Sequence, residues 1–376
     1  MKIAKLFIIL LCTILLAGCW DKMEIEERAF VLSIGIDKAP AEGMESQGNR
    51  YIMTLVNPDT AKAAEGKVLD FITFDTEATS YTTGTIQLLQ RFSKDHSYEH
   101  TKVIIFGKEL LEDEILVKDI LDAFTRGHQF HASMLLYMVP EKAADVFKVK
   151  PKMKSLLAYY ITGIADHEED AARIGKTSFL DFTKSIATNE GDAAIPILIP
   201  SNDEVKAEGM GVIKDFKLIG KFNEEETIAY KWLNNKAKGG VVEIFKPDYS
   251  LPFTYFSFKR KISLDKIEDG KIYLTYSMDS EGRVEEYSLG KKLLDNDKLQ
   301  EIEKELEGII ESQCKKLVKK LQEEYVVDLI GLREYLSKYH PQIYEVVSQD
   351  YNDFFQKKVV INVEADVKVR RIGKTE

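Results

Sequence analysis

Cysteine is nearly missing from this chain. Among 376 residues there are three, Cys12, Cys19 and Cys314. The first two fall in the amino-terminal leader described below, so Cys314 has no intramolecular partner and the fold has to be held by its core without disulfides. Cys314 lies in a helical pattern and reads as a packing residue, not as a reactive thiol. Positive charge is also in deficit, with 52 Lys and Arg against 62 Asp and Glu and a net charge of −10. Such a chain is not built to attract nucleic acid or anionic lipid headgroups. Chemical signatures are missing as well. There is no phosphate loop, dinucleotide fingerprint, GxSxG elbow or HExxH pair. Histidine is scarce, with six in all. His128-Gln129-Phe130-His131 comes nearest to a metal pair, but it falls between a helix and a strand and has no third ligand nearby. His167-Glu168-Glu169-Asp170 reads as a solvated helix start. The many carboxylates include no pair that composition singles out for acid–base work. No catalytic site, metal or cofactor is therefore expected. Beyond the leader, no apolar run approaches the length of a membrane span.

What is present is concentrated first at the amino terminus. Met1–Asp21 reads MKIAKLFIILLCTILLAGCWD. Lys2 and Lys5 precede an apolar stretch, Leu6–Leu16, that is too short to cross a hydrocarbon layer about 30 Å thick. Leu16-Ala17-Gly18-Cys19 follows. A charged start, a short apolar core and small residues at a cleavage point make a secretory signal, and a cysteine placed directly after them makes a lipobox. Residues 1–18 are expected to be removed, and Cys19 to become an N-acyl, S-diacylglycerol cysteine. The two chains of the diacylglycerol alone anchor firmly where a single myristoyl chain holds only marginally. Trp20 beside the lipid suits either the headgroup level or a contact within the first domain.

Alternation and helical spacing organise the remainder. Strands are read at Phe30–Asp37, Tyr51–Asn57, Val68–Asp75, Lys102–Phe106 and Ser133–Val139. Helices are read at Thr79–Arg91, Ile115–Thr125, Glu141–Phe147 and Met153–Ile164. This order predicts an α/β unit with helices covering a sheet, its strand directions left open. Gly35 and Asp37 are expected to be turn residues closing the first strand. Thr183–Asp192 is polar and weakly patterned. Ser201–Gly209 is polar and charged and is taken as a linker between a region 19–200 and a region 210–376. The second region begins with a hairpin over Met210–Ile219 that turns near Lys214-Asp215. A helix over Glu224–Asn235 follows, with Trp232 as core. Strands come next at Gly239–Phe245, Tyr255–Leu264, Lys271–Met278 and Val284–Tyr287, with a turn at Glu268-Asp269-Gly270. From about Asp295 to Tyr325, apolar residues recur every three or four positions. Gln313 and Lys316 break a coiled-coil seam, so this long helix is expected to lie on a sheet. Lys358–Arg370 alternates strictly as a half-buried strand. The fold class is α+β: a mixed α/β multidomain lipoprotein whose carboxy-terminal, mostly antiparallel sheet packs with a long helix.

Several of these segments together resemble one family. Cys19-Trp20-Asp21, Glu24-Ile25-Glu26, Arg28-Ala29-Phe30-Val31 and Ile34-Gly35-Ile36-Asp37 look like the amino-terminal signature of the Ger(x)C (GerAC-type) spore germination lipoproteins. His100–Gly107, with Arg126 after it, is similar to a strand of that family. Gly211–Gly220, Glu226-Thr227, Trp232-Leu233, Asp328-Leu329-Ile330-Gly331 and Pro341 are similar to its second half. Where the pattern has a tryptophan after Pro341, this chain offers Tyr351 or Phe354. The resemblance implies a non-enzymatic C subunit of a nutrient germinant receptor. It also implies a place on the outer surface of the spore inner membrane, polytopic A and B subunits as partners, and two small mixed α/β parts within residues 19–200. Whether such a subunit binds nutrient itself is left open. The alternative is a lipid-anchored solute-binding protein feeding a transporter, which would be expected to show two similar lobes.

Overall fold

The computed structural model describes residues 27–40, 50–60, 62, 66, 70–127, 130–153, 156–247, 249–284 and 296–372. The leader, Cys19, Trp20 and His128 lie outside them. The first half folds as β1 (Arg28–Phe30), β2 (Ser33–Lys38), β3 (Tyr51–Pro58), β4 (Phe71–Ala78), α1 (Tyr81–Leu89), β5 (Asp95–Ser97), β6 (Val103–Gly107), α2 (Lys108–Leu111), α3 (Glu114–Arg126), β7 (Leu135–Val139), α4 (Ala143–Val146), α5 (Leu157–Asp166), α6 (Phe179–Thr188), β8 (Ala193–Pro200), β9 (Val205–Lys214) and β10 (Lys217–Phe222). One strand was expected over Phe30–Asp37. The chain instead steps at Val31-Leu32, whose N–H groups bond Ser97 and Val56 on different neighbours.

Eight of these strands form one sheet in the order β4-β3-β2-β6-β7-β8-β9-β10. β2, β6 and β7 run parallel and are almost wholly buried, as helices on both faces require. α1, α3 and α6 pack on the face carrying Ile34, Ile36, Ile104 and Phe106. α4 and α5 cover Val103, Ile105 and Tyr137 on the other. The sheet narrows between β7 and β8, which meet in parallel at one pair, Met138 with Ile197. Helix α6 falls where the polar stretch concealed it. Phe182 and Ile186 are its buried residues, and Ser178 caps it by accepting the Asp181 N–H at 3.1 Å while donating to the Asp181 carboxylate. The Ser-x-x-Asp spacing was the available signal.

The linker read over 201–209 is corrected. Ser201 and Glu204 close a turn, and strand β9 starts at Val205 and pairs antiparallel with β8. Its alternation is short and set among charges: Val205 and Ala207 are buried while Lys206 and Glu208 are exposed. The two regions thus share a sheet. The β9–β10 turn places Asp215 (φ 49°) and Phe216 (φ 64°) in the left-handed region, which suits the strand twist but is unusual for a phenylalanine.

The second half comprises α7 (Glu224–Leu233), β11 (Gly240–Lys246), β12 (Tyr249–Glu268), β13 (Lys271–Val284), α8 (Asn296–Lys320), α9 (Leu332–Tyr339), α10 (Pro341–Val347), α11 (Tyr351–Lys357) and β14 (Val359–Ile372). Asn223 and Glu226 start α7 with a reciprocal capping box. The expected strand at Lys271–Met278 runs on to Val284, the first residue of the expected strand Val284–Tyr287, because burial keeps alternating through Ser280 and Gly282; the rest of that second strand lies outside the described residues. Asp269 (φ 51°) and Gly270 (φ 71°) make its two-residue turn from β12. The sheet order is β11-β12-β13-β14. Its first two pairings are antiparallel and its last is parallel, reached by the long crossover through α8–α11. Helix α8, about 37 Å long at 1.5 Å per residue, buries Ile302, Leu306, Ile310, Cys314, Leu317 and Val318. The Cys314 Sγ lies 3.8 Å from the Met278 Sδ, and burial pushes its thiol far above the ordinary range. Trp232 is core, stacked on Phe258 with centroids 5.8 Å apart. Met210, Val212 and Phe222 of the first sheet join this core. The two halves are therefore fused through apolar packing, and they do not resemble each other in topology.

Candidate functional site

The family-like residues near the amino terminus build a helix mount. Asp37, at the carboxyl end of β2, is buried and accepts the N–H of Ala143 at 2.7 Å and of Ala144 at 3.2 Å. It thereby caps α4. Burial raises the pKa of its carboxyl above the ordinary range, opposed by those two N–H groups and by Lys142. A Cβ on Gly35 would meet the Phe147 ring at 2.5 Å, and one on Gly107 would meet the Asp37 Oδ1 at 2.1 Å. The expectation of turn residues is corrected: Gly35 and Asp37 are strand residues that seat α4 against the strand ends.

Two clefts open at those carboxyl ends, the usual place for ligands in parallel sheets. One, of about 590 Å³, is polar, with Lys38, Lys108, Lys142 and Lys148 facing Asp37, Glu112 and Asp145. The other, of about 460 Å³, lies between the two regions. Met138, Ile197 and Ile199 come from one region and Leu218, Ile219 and Phe222 from the other, and Lys108, Glu112, Glu208 and Lys221 also line it. Its size matches small-molecule pockets in general.

Polar contacts also cross between the regions. Lys231, with its side chain 4% exposed, stands 2.9 Å from the Glu168 Oε1 and donates to the Ile174 carbonyl. Burial lowers the pKa of this ammonium, opposed by Glu168. Lys238 pairs with Glu169 at 2.6 Å. The acidic cluster His167–Asp170 thus serves to dock helix α7. Its signal in the sequence was the single lysine inside Ile228-Ala229-Tyr230-Lys231-Trp232-Leu233. Changing Lys231 to Met is expected to cost about 3 kcal/mol, because Glu168 stays half-buried without its partner. Adding Glu168→Leu should recover most of that loss. Urea unfolding of the single and double variants reads both effects, and equal stabilities of all three would refute the pairing.

The residues Asp328-Leu329-Ile330-Gly331 form a second hub. Asp328 is 1% exposed. It accepts the N–H of Ile330 (3.0 Å), Leu332 (3.4 Å) and Arg333 (2.6 Å) and the Tyr351 hydroxyl (2.7 Å). It therefore starts α9 and ties it to α11. Tyr351 is one of the two residues offered in place of the pattern's tryptophan, and its hydroxyl is what meets Asp328. Gly331 takes φ 78°, open to glycine at little cost. The Leu329 carbonyl accepts from Asn234 at the end of α7. Arg333 lies over the Tyr351 ring at 4.2 Å and pairs with Glu190 of the first region at 2.7 Å.

Asp192, which sequence reasoning did not single out, is buried beside this hub. Its Oδ1 accepts the Asp215 N–H at 2.9 Å and holds the strained β9–β10 turn. Burial raises the pKa of its carboxyl to about 7, opposed by that N–H. His131 is exposed and bonds Ser133, and Arg126 is exposed and pairs with Asp122. Among the described residues, no group of three or more His, Cys, Asp or Glu is arranged to hold a metal. Asp37, Lys231 and Asp328 thus mount helices and join the two regions.

Comparison with known proteins fits this architecture. Residues 21–200 match the family described as the spore germination protein N-terminal domain. Residues 208–373 match the family described as spore germination B3/GerAC like, C-terminal. The chain belongs to the GerAC-type spore germination protein family. It is similar to spore germination protein YndF of Bacillus subtilis (strain 168), 24% identical over 95% of this chain and 93% of that one. Spore germination protein B3 of the same organism is also 24% identical, over 95% of each chain. The crystal structure of the GerBC protein shares the fold with a TM-score of 0.58, at 21% identity over 90% of this chain and 98% of that one.

Proposed function

We propose that this protein is the membrane-tethered, non-catalytic C subunit of a spore nutrient germinant receptor. In this reading it is held by lipid on Cys19 at the outer surface of the spore inner membrane and assembles with polytopic A and B subunits. The observation that carries the reading is the tandem family match over nearly the whole chain. The lipobox at Leu16–Cys19 supports the tether. No helix among the described residues is long and apolar enough to cross a membrane. Cys19 and the first described residue, Glu27, are eight residues apart, a reach of at most about 29 Å. The tether would keep the body close to integral partners and raise its effective concentration there, so weak contacts suffice. The solute-binding alternative draws no support from the dissimilar halves.

Cys19→Ser is expected to abolish lipid labelling and to move the protein from the membrane to the soluble fraction. Retention of both would refute the anchor. Deletion is expected to remove nutrient-triggered germination, and the intact protein is expected to co-purify with A- and B-type subunits from spore membranes. Germination that persists without the chain would overturn the receptor reading.

A further inference from the structure

The two edges of the second sheet are treated differently. At the β14 edge, the N–H groups of Ala365, Val367 and Val369 donate to the carboxylates of Glu311 (3.2 Å), Glu307 (3.1 Å) and Glu303 (2.9 Å) on α8. Residues four apart on a helix rise about 6 Å, close to the roughly 6.6 Å between alternate residues of a strand. The helix thus presents acceptors in step with the strand and closes the edge as a neighbouring strand would.

Among the described residues the β11 edge has no such cover. Glu243 faces Pro252 across the ladder. Proline has no N–H to give, so the hydrogen-bonded pairs are Val242 with Phe253 and Ile244 with Leu251. That alternation turns the N–H and C=O groups of Val241, Glu243 and Phe245 outward. Among the described residues these groups have no backbone partner. Val241 is 43% exposed and Phe245 is 81% exposed, with Glu243 between them on the same face. Long apolar edges are normally blunted in folded proteins, and here only one of the two is.

We propose that the outer edge of β11 docks an extended segment of another polypeptide, one carrying a basic residue with an apolar residue two positions away on each side, to match Val241, Glu243 and Phe245. Main-chain hydrogen bonds to Val241, Glu243 and Phe245 would supply affinity, and the alternating side chains selectivity. A second copy of this chain is the wrong occupant. Symmetric pairing places Glu243 against Glu243, where like charges directly opposite destabilise the pair, or, shifted by two residues, against Val241 or Phe245, and in none of these registers does Glu243 meet a basic residue. A basic residue at that position reverses the sign. This docking edge does not depend on the receptor reading, and neither does its test.

The full chain is titrated with two fluorescent nine-residue peptides, one centred on Val-Thr-Lys-Thr-Val and the other on Val-Thr-Glu-Thr-Val. The first is expected to bind at least tenfold tighter and to slow hydrogen exchange at the Val241, Glu243 and Phe245 amides. Glu243→Pro removes an N–H that the fold does not use, as an edge strand tolerates. It should weaken the lysine-containing peptide at least tenfold and leave the unfolding midpoint nearly unchanged. Glu243→Lys should invert the peptide preference. Absence of binding, equal affinity for both peptides, protection on β14 instead of β11, or self-association through β11 would each overturn the proposal.

Discussion

Replacing Asp328 by alanine is expected to lower the free energy of unfolding by about 4 kcal/mol, among the largest single-residue effects in this protein. The carboxylate accepts from three N–H groups and the Tyr351 hydroxyl. Arg333 and Tyr351 are buried beside it, so water cannot take over. A buried donor left unpaired costs about 1–3 kcal/mol, and breaking a buried network places a variant in the severe tail of mutational effects. Asp328→Asn keeps one acceptor oxygen and should lose about half as much. The loss should also loosen α9, α11 and the Arg333–Glu190 contact with the first region together, read as faster amide exchange in 332–339 and 351–357. Urea unfolding at neutral pH measures the main effect. A change below 1 kcal/mol for the alanine variant would show that Asp328 does not hold these elements.

Asp192 is expected to make stability depend on pH in the direction opposite to most carboxylates. Its pKa rises from the ordinary 3.8 to about 7 on folding, because burial penalises the charged form more than the Asp215 N–H favours it. The folded state therefore binds this proton more tightly than the unfolded state. The stability so contributed is fully present below pH 3.8 and is lost as pH rises through about 7. Asparagine keeps an oxygen for the Asp215 N–H but cannot ionise. The stability of the native protein relative to Asp192→Asn should fall by about 2–3 kcal/mol between roughly pH 5 and pH 8. Parallel stability profiles over that range would refute the assignment. The consequence is local as well, since ionised Asp192 sits behind the strained Asp215-Phe216 turn that joins β9 to β10.

Much of the architecture was legible because it follows local periodicity. The alternation in Val359–Val369, the three-and-four spacing from Leu299 to Leu321, the all-apolar run at Val103–Phe106 and the Glu268-Asp269-Gly270 turn each encode an element without reference to any other. The misreadings share one cause. Val205–Glu208 is a strand whose alternation lasts only a few residues among charges, and Phe179–Thr188 is a ten-residue helix whose apolar residues Phe179, Leu180 and Phe182 lie before the polar stretch that begins at Thr183. Gly35 looked like a turn residue because a glycine's usual meaning is backbone freedom, whereas here it makes room for the Phe147 ring.

By itself the sequence determined the α+β class, most of the elements and the resemblance to the spore germination family, and its Leu16-Ala17-Gly18-Cys19 pattern is the ground for the proposed tether. It also left no motif around which a catalytic centre would be built. Only the tertiary structure decided that β2, β6 and β7 run parallel, that the two regions share a sheet and a core, and that Lys231 meets Glu168. It alone showed that Asp192 is desolvated, and that β14 is closed while β11 is open. The physical reason is the range of the interactions. Side-chain periodicity is set by neighbours three or four residues away, whereas strand direction, burial of a charge and closure of a sheet edge depend on groups far apart in the chain, such as Glu303 and Val369, 66 residues apart, or Glu190 and Arg333.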